Sequence, residues 1–324
     1  MPIQVAPGDE VSGIDVDLTF AHSVTVRGRV VSEVPVKAAL RGSYVSLMPR
    51  DSFQGGVVGG NFGASVQDDL GNFEIRGVPP GSYVAFANLS DCARTYSGRA
   101  LVDTASSNIE GVTVTVGPGL ALRGRVHLSP GASLDLNHLG VSLQPAENYV
   151  GGSGAQVATD GTFVLENVTD GSYRLNVGGY PEEFYVQSAR VGGVDILEPG
   201  LTVGHNDLPG SLDIVLSADG GRVDGAVLNN QQPSGDAIVV LIPDPPNRIR
   251  NELYSFKKTD LLGRFSLLGL PPGDFKLFAW EQRDGLPYTD PDFIKDYEDR
   301  GTRVHIEDKT QQSVQLQVIP DDEP

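Results

Sequence analysis

Metal, nucleophile and phosphate chemistry each demand particular residue types at particular spacings. A zinc hydrolase needs paired ligands such as His-x-x-Glu with a distant third ligand. None of His22, His127, His138, His205 and His305 begins a His-x-x-Glu pair. Gly-x-Ser-x-Gly and Gly-x-x-x-x-Gly-Lys are also absent. The glycine-rich stretches Gly55–Gly63 and Gly151–Gly154 are followed by strand patterns rather than a helix N-terminus, so they read as connecting loops. No catalytic residue is therefore assigned, and no enzyme activity is expected.

Two groups remain as candidates for binding. Asp284, Asp290, Asp292, Asp296, Glu298 and Asp299 crowd one segment. Calcium takes six to eight oxygen ligands, so Asp290, Asp292 and Asp296 are possible Ca2+ ligands, although the spacing is not that of an EF-hand. The alternative is a solvated acidic loop, with no cofactor at all. The second group is aromatic. Phe275, Leu277 and Ala279 share one strand parity, which puts Lys276, Phe278 and Trp280 on the other face. Either the segment 281–301, with Tyr288, Phe293 and Tyr297, covers that face, or Phe278, Trp280 and Tyr288 form a platform for a sugar ring or peptide. Tyr149 and Tyr180 lie in loops and carry a weaker form of the same expectation.

The elements that position these residues come from a repeat. Three openers read Val24-Thr-Val-Arg-Gly-Arg-Val30, Leu120-Ala-Leu-Arg-Gly-Arg-Val126 and Gly221-Arg-Val-Asp-Gly-Ala-Val227. A second signature follows each: Gly71-Asn-Phe-Glu-Ile-Arg-Gly-Val-Pro-Pro-Gly-Ser-Tyr83, Gly161-Thr-Phe-Val-Leu-Glu-Asn-Val-Thr-Asp-Gly-Ser-Tyr173 and Gly263-Arg-Phe-Ser-Leu-Leu-Gly-Leu-Pro-Pro-Gly-Asp-Phe275. Its outer glycines are always 10 residues apart. The signature reads as strand–turn–strand, with Asp69, Asp160 and Asp260 in the turn before it, where φ > 0 must be tolerated. Phe73/Ile75, Phe163/Leu165 and Phe265/Leu267 then alternate as half-buried strands do. Each copy closes on another alternating run: Val112–Val116, Leu212–Leu216 and Val314–Val318. The best helix candidate is a turn or two near Pro291–Tyr297.

The expected fold is all-β, a tandem array of three small antiparallel β-sandwich domains. Their expected bounds are 21–118, 119–219 and 220–324, the last carrying the acidic and aromatic insertion 281–301. Residues 1–20 stand apart. Val5–Leu18 resembles the closing run of a copy, with Ile14, Val16 and Leu18 on one parity. It reads as the tail of a preceding repeat, as a self-assembly strand that adds to a neighbouring chain, or as a strand folding back on its own chain.

Composition agrees with turn-rich β structure. The chain has 324 residues with 40 Gly and 22 Pro, about a fifth of the total. A net charge of −18 argues against nucleic acid and acidic membrane faces as partners. The longest apolar run, Ala237–Ile242, is far short of the roughly 20 residues of a membrane helix. One cysteine, Cys92, excludes an intrachain disulfide.

The opener and the Gly-x-Phe…Gly-x-Tyr signature resemble the carboxypeptidase regulatory-like domains. These belong to a transthyretin-like, prealbumin-like β-sandwich group that includes the Cna B-type repeats of surface proteins. The resemblance covers residues 21–324. It implies a non-catalytic spacer or binding module of an exported bacterial protein: extracellular, cell-surface or periplasmic. Implied partners are further copies of the chain or other surface proteins, with polysaccharide as the alternative. Many Cna B-type domains carry a Lys–Asn or Lys–Asp isopeptide crosslink from a first-strand lysine. The lysines here are Lys37, Lys257, Lys258, Lys276, Lys295 and Lys309, none on an opener, so no such crosslink is expected.

Overall fold

The computed structural model describes residues 23–33, 40–50, 62–90, 95–146, 152–204, 210–247, 250–281 and 286–320. The chain divides into two compact units, Met1–Gly117 and Pro118–Pro324.

In the N-terminal unit, β1 (Val24–Ser32), β2 (Tyr44–Pro49), β3 (Phe62–Ser65), β4 (Asn72–Val78), β5 (Gly81–Ser90), β6 (Thr95–Thr104) and β7 (Ile109–Pro118) follow in chain order. They join in the order β3-β2-β5-β6-β7-β1-β4. Val30, Leu47, Phe73, Ile75, Tyr83 and Val114 are among the residues of its buried core.

The C-terminal unit contains two sandwich cores, with a smaller buried cluster beside the second. The first belongs to β8 (Leu120–Leu128), β9 (Gly140–Pro145), β10 (Ser153–Gln156), β11 (Thr162–Val168), β12 (Gly171–Gly178), β13 (Tyr185–Val191), β14 (Val194–Asp195), β15 (Leu201–Val203) and β16 (Leu212–Ser217). These form two sheets, β10-β9-β12-β15 and β11-β8-β16-β13-β14. The second belongs to β17 (Gly221–Asn229), β18 (Gln232–Pro233), β19 (Ile238–Pro243), β20 (Ser255–Lys258), β21 (Arg264–Leu270), β22 (Gly273–Trp280), α1 (Pro291–Lys295), β23 (Thr302–Ile306) and β24 (Gln311–Gln317). One sheet runs β20-β19-β22-β23; the other runs β18-β17-β21, with β24 also paired to β17. The fold is thus an all-β array of sandwiches.

Most pairings are antiparallel, as expected, but one recurrent pairing is not. The opener strand and the closing strand of each copy run parallel. Gly28–Ser32 lie beside Val112–Val116, Gly124–Leu128 beside Leu212–Leu216, and Arg222–Leu228 beside Gln311–Gln317. On its other side each opener takes the signature strand antiparallel.

This arrangement explains the opener glycine. A Cβ on Gly124 would lie 2.3 Å from Phe163 Cζ and 2.6 Å from the carbonyl oxygen of Leu212. The same pair of contacts recurs at Gly28, with Phe73 and Val112, and at Gly225, with Phe265 and Val314. The signature Phe therefore covers the opener glycine while the closing strand crowds its edge, and neither leaves room for a methyl group. The seventh signature position also has a reason. Gly77, Asn167 and Gly269 take φ of 73°, 60° and 61°. Each sits where the register with the opener slips at a β-bulge. Asparagine tolerates this left-handed backbone better than most residues, so the middle copy keeps the bulge without glycine.

The turn aspartates need one correction. In the first copy the working residue is Asp68, not Asp69: its Oδ1 accepts from the N–H groups of Leu70 and Asn72, both at 3.0 Å. Asp160 and Asp260 do the same for Thr162 (3.0 Å) and for Leu262 and Arg264 (2.9 and 2.8 Å). The hydrogen bonds these carboxylates accept, above all from the Asn72 and Thr162 side chains and the Arg264 backbone, hold them below the usual aspartate range. The φ > 0 position itself falls on Gly71, Gly161 and Gly263. At the far end of the signature, Tyr83 and Tyr173 donate to the carbonyls of Pro79 (3.0 Å) and Thr169 (2.9 Å), which pins the second turn. Phe275 buries the same ring without that bond.

Replacing Gly124 by Ala should push Phe163 and β16 apart and lower stability by about 1–3 kcal/mol, the usual range for overpacking. Urea unfolding followed by circular dichroism checks this; an unchanged midpoint would contradict the packing just described.

Candidate functional site

The outward face of β22 carries Phe278 and Trp280, and both are almost fully enclosed, at 1% and 3% exposure. They form a small second core with Val240, Ile242, Ile294 and Tyr297. The Phe278 and Trp280 rings stack at 5.3 Å, and Tyr297 meets Trp280 edge-on at 5.6 Å. Phe293 lies 6.0 Å from Trp280, and Tyr288 is partly buried against the same cluster. The physical cause is α1. Asp290 caps it by accepting from the N–H of Asp292 at 3.1 Å, and Pro291 starts it. Ile294 of the helix and Tyr297 just beyond its end then turn onto the sheet. Of the two alternatives for this face, the structure has the covered one, and the platform at Phe278 and Trp280 is corrected: the insertion occupies their faces.

The acidic residues of this segment also take other work. Asp290 is the helix cap, whereas Asp292 and Asp296 are exposed. Among the described residues, no three His, Cys, Asp or Glu side chains converge to hold a metal ion, so the Ca2+ ligand set Asp290, Asp292 and Asp296 is not assembled. Glu298 pairs instead with Lys276, whose side chain is 7% exposed and which also faces Asp244 at 3.5 Å. That buried ammonium is held by two carboxylates at the base of the insertion, a feature that sequence periodicity placed on a normally wet face.

Of the remaining aromatic candidates, Tyr149 lies outside the described residues, as do Ile14, Val16, Leu18 and Cys92. Tyr180 is placed in a cleft of the C-terminal unit, a cavity of about 250 Å³ lined by Arg174, Leu175, Val177, Val186 and Leu197. Burial, with the Glu252 carboxylate as a lesser cause, raises its phenol above the usual tyrosine range. Next to it the two halves of this unit are joined. Tyr185 donates to Asp308 Oδ1 at 3.0 Å, and burial followed by that bond pushes its phenol up to about 12. Lys257 pairs with Glu182 at 2.7 Å. Gly269 approaches so closely that a Cβ would lie 2.2 Å from the carbonyl oxygen of Glu182. Sequence spacing gave no sign of this junction, because its partners lie 75 to 123 residues apart.

No family model matches the chain, and no curated protein sequence matches it. Among solved structures it is similar to the Bacillus anthracis TIE protein at 11% identity and a TM-score of 0.24, covering 92% of this chain and 51% of that one. It is also similar to a streptococcal ancillary pilin at 11% identity and a TM-score of 0.28, covering 91% and 98%. A third is BcpA, the major pilin subunit of Bacillus cereus, at 13% identity and a TM-score of 0.24, covering 93% and 100%. The chain spans about half the length of the Bacillus anthracis protein. These likenesses are remote, and the β-sandwich assignment rests on the sheets described above. No helix among the described residues is long and apolar enough to cross a membrane.

Trp280 is the only tryptophan, so its burial is directly readable. Native emission should be blue-shifted and iodide quenching several-fold weaker than after unfolding in guanidinium. Quenching in the native state as efficient as in the unfolded state would mean that the ring is exposed.

Proposed function

We propose that this chain is a non-catalytic structural module of an exported or cell-surface protein. Each repeat acts as a domain that carries tension along the chain, and sandwich edges and loops make contacts with further copies or other surface proteins. The observation that supports this is the parallel pairing of opener and closing strand in every copy. In a parallel pair the chain enters at one end and leaves at the other. Tension on the ends then slides the two strands past each other, and their hydrogen bonds resist together instead of opening one at a time. Chain continuity passes the tension on: β7 ends at Pro118 and β8 begins at Leu120, while three residues separate β16 from β17. A charge of −18 favours solubility of such a module. The polysaccharide alternative loses its main motive, because the rings of Phe278 and Trp280 are enclosed.

Single-molecule pulling tests this reading. In a Cys92→Ser background, handles at residues 222 and 317 load the β17–β24 pair in shear, whereas handles at 222 and 311 peel it from one end. The shear geometry should require clearly the higher force. Equal forces in the two geometries would sink the proposal.

A further inference from the structure

The three copies differ at one sheet edge. The strand that begins after the signature turn is β5, β12 or β22. In the first copy β5 is paired along its whole length, Gly81–Ser90 against Thr104–Thr95 of β6. In the third, β23 pairs with Gly273–Leu277 of β22, and Ile319 closes the remainder by donating to the carbonyl of Ala279 at 2.7 Å and accepting from Glu281 N–H at 3.1 Å. In the middle copy, β15 pairs only with Gly171–Tyr173. The following strand, β13, pairs with β16 and β14 in the other sheet instead. From Arg174 to Gly178, β12 is bonded to β9 on one side and to no described strand on the other.

This open edge has defined chemistry. The carbonyl of Tyr173 points toward it, since a Cβ on Gly200 of the β15 side would sit 2.7 Å from that oxygen. Backbone groups alternate sides along a strand, so Leu175 and Val177 present N–H and C=O to the same side. The gap beside them is the cleft that holds Tyr180, Val186 and Leu197. Arg174 stands on the outward face and makes no ion pair among the described residues. An extended peptide fits here if its apolar residues turn inward to the cleft while acidic residues turn outward to Arg174.

The chain contains such a peptide, Ile14-Asp-Val-Asp-Leu18. We propose that Ile14–Asp17 of this segment, from a second copy, adds antiparallel to the open stretch Arg174–Val177 of β12, as every strand of that sheet pairs with its neighbour, and that Leu18 leaves the edge where Leu201 already pairs with Tyr173. Val16 then lies opposite Leu175, Asp17 opposite Arg174 and Asp15 opposite Asn176. The similar run Leu212-Asp-Ile214 is already seated between β8 and β13. This inference rests on the proposed assembly through sandwich edges and names one acceptor and one donor for it.

The test uses two full-length variants in a Cys92→Ser background, Asp15→Cys and Asn176→Cys. They are mixed under mild oxidation at about 0.15 M salt, where the Debye length is about 8 Å and repulsion between the acidic chains is screened. Asp15 and Asn176 would form a non-hydrogen-bonded pair, whose spacing suits a disulfide. The expected result is a mixed dimer in excess over either variant alone, lost when Val16→Pro is added to the donor and reduced several-fold by Arg174→Glu in the acceptor. Oligomers seen by light scattering without the mixed disulfide would overturn this edge while leaving assembly through another. A double variant that closes only within its own chain would overturn the second copy as donor. Monomers that retain the shear strength described above would overturn the edge and leave the tension-carrying reading standing.

Discussion

A bare glycine backbone lies between an aromatic ring and the carbonyl of a parallel strand, three times in one chain. That contact sets the spacing of the whole repeat. Gly124 lets β16 approach β8 and lets Phe163 of β11 lie over the strand, so first, last and signature strands converge on one point. The signature strand then bulges at Asn167 and turns at Thr169–Gly171, where Tyr173 ties the turn to its own strand. That tyrosine leads the chain into β12, in the second sheet. Disturbing the glycine therefore disturbs the seam and the signature strand in one step.

The same seam gives the protein a direction. Its ends are the entry and exit of each copy, and Leu122, Leu212, Ile214 and Leu216 are fully enclosed beside it, so in the proposed tension-bearing role a pull would be resisted within the core. The variations lie away from the seam. The third copy gains a helix-capped insertion that turns a wet sheet face into a second core around Trp280. In the middle copy one edge of β12, Arg174–Gly178, has no partner among the described strands. Between these two copies, the close approach at Gly269 and the Tyr185–Asp308 bond matter more than the Lys257–Glu182 pair, since an exposed ion pair contributes about 1 kcal/mol or less.

Much of this was legible in the sequence. The glycine spacing marked the copies, and the alternation of Phe163 and Leu165 named core residues that the structure buries. The short helix also lies where Pro291 and its acidic neighbours place it. What could not be read depends on distant partners. Alternation in Leu212–Leu216 announces a strand but is silent on whether its neighbour runs parallel. Two adjacent aspartates, Asp68 and Asp69, look equivalent until the N–H groups of Leu70 and Asn72 select one. Trp280 shows its parity in the sequence, yet its burial requires Ile294 and Tyr297 to fold over it. No described strand covers the edge of β12 beyond Tyr173, because β13 joins the other sheet, a choice that local pattern does not encode.

Hydrogen exchange followed by mass spectrometry tests the central role of the parallel seam most directly. The account predicts that Gly124–Leu128 and Leu212–Leu216 exchange most slowly in the C-terminal unit, well behind the edge strands Ser153–Gln156 and Ser255–Lys258. Seam segments that exchange as fast as those edges, while the rest of the core stays protected, would contradict it.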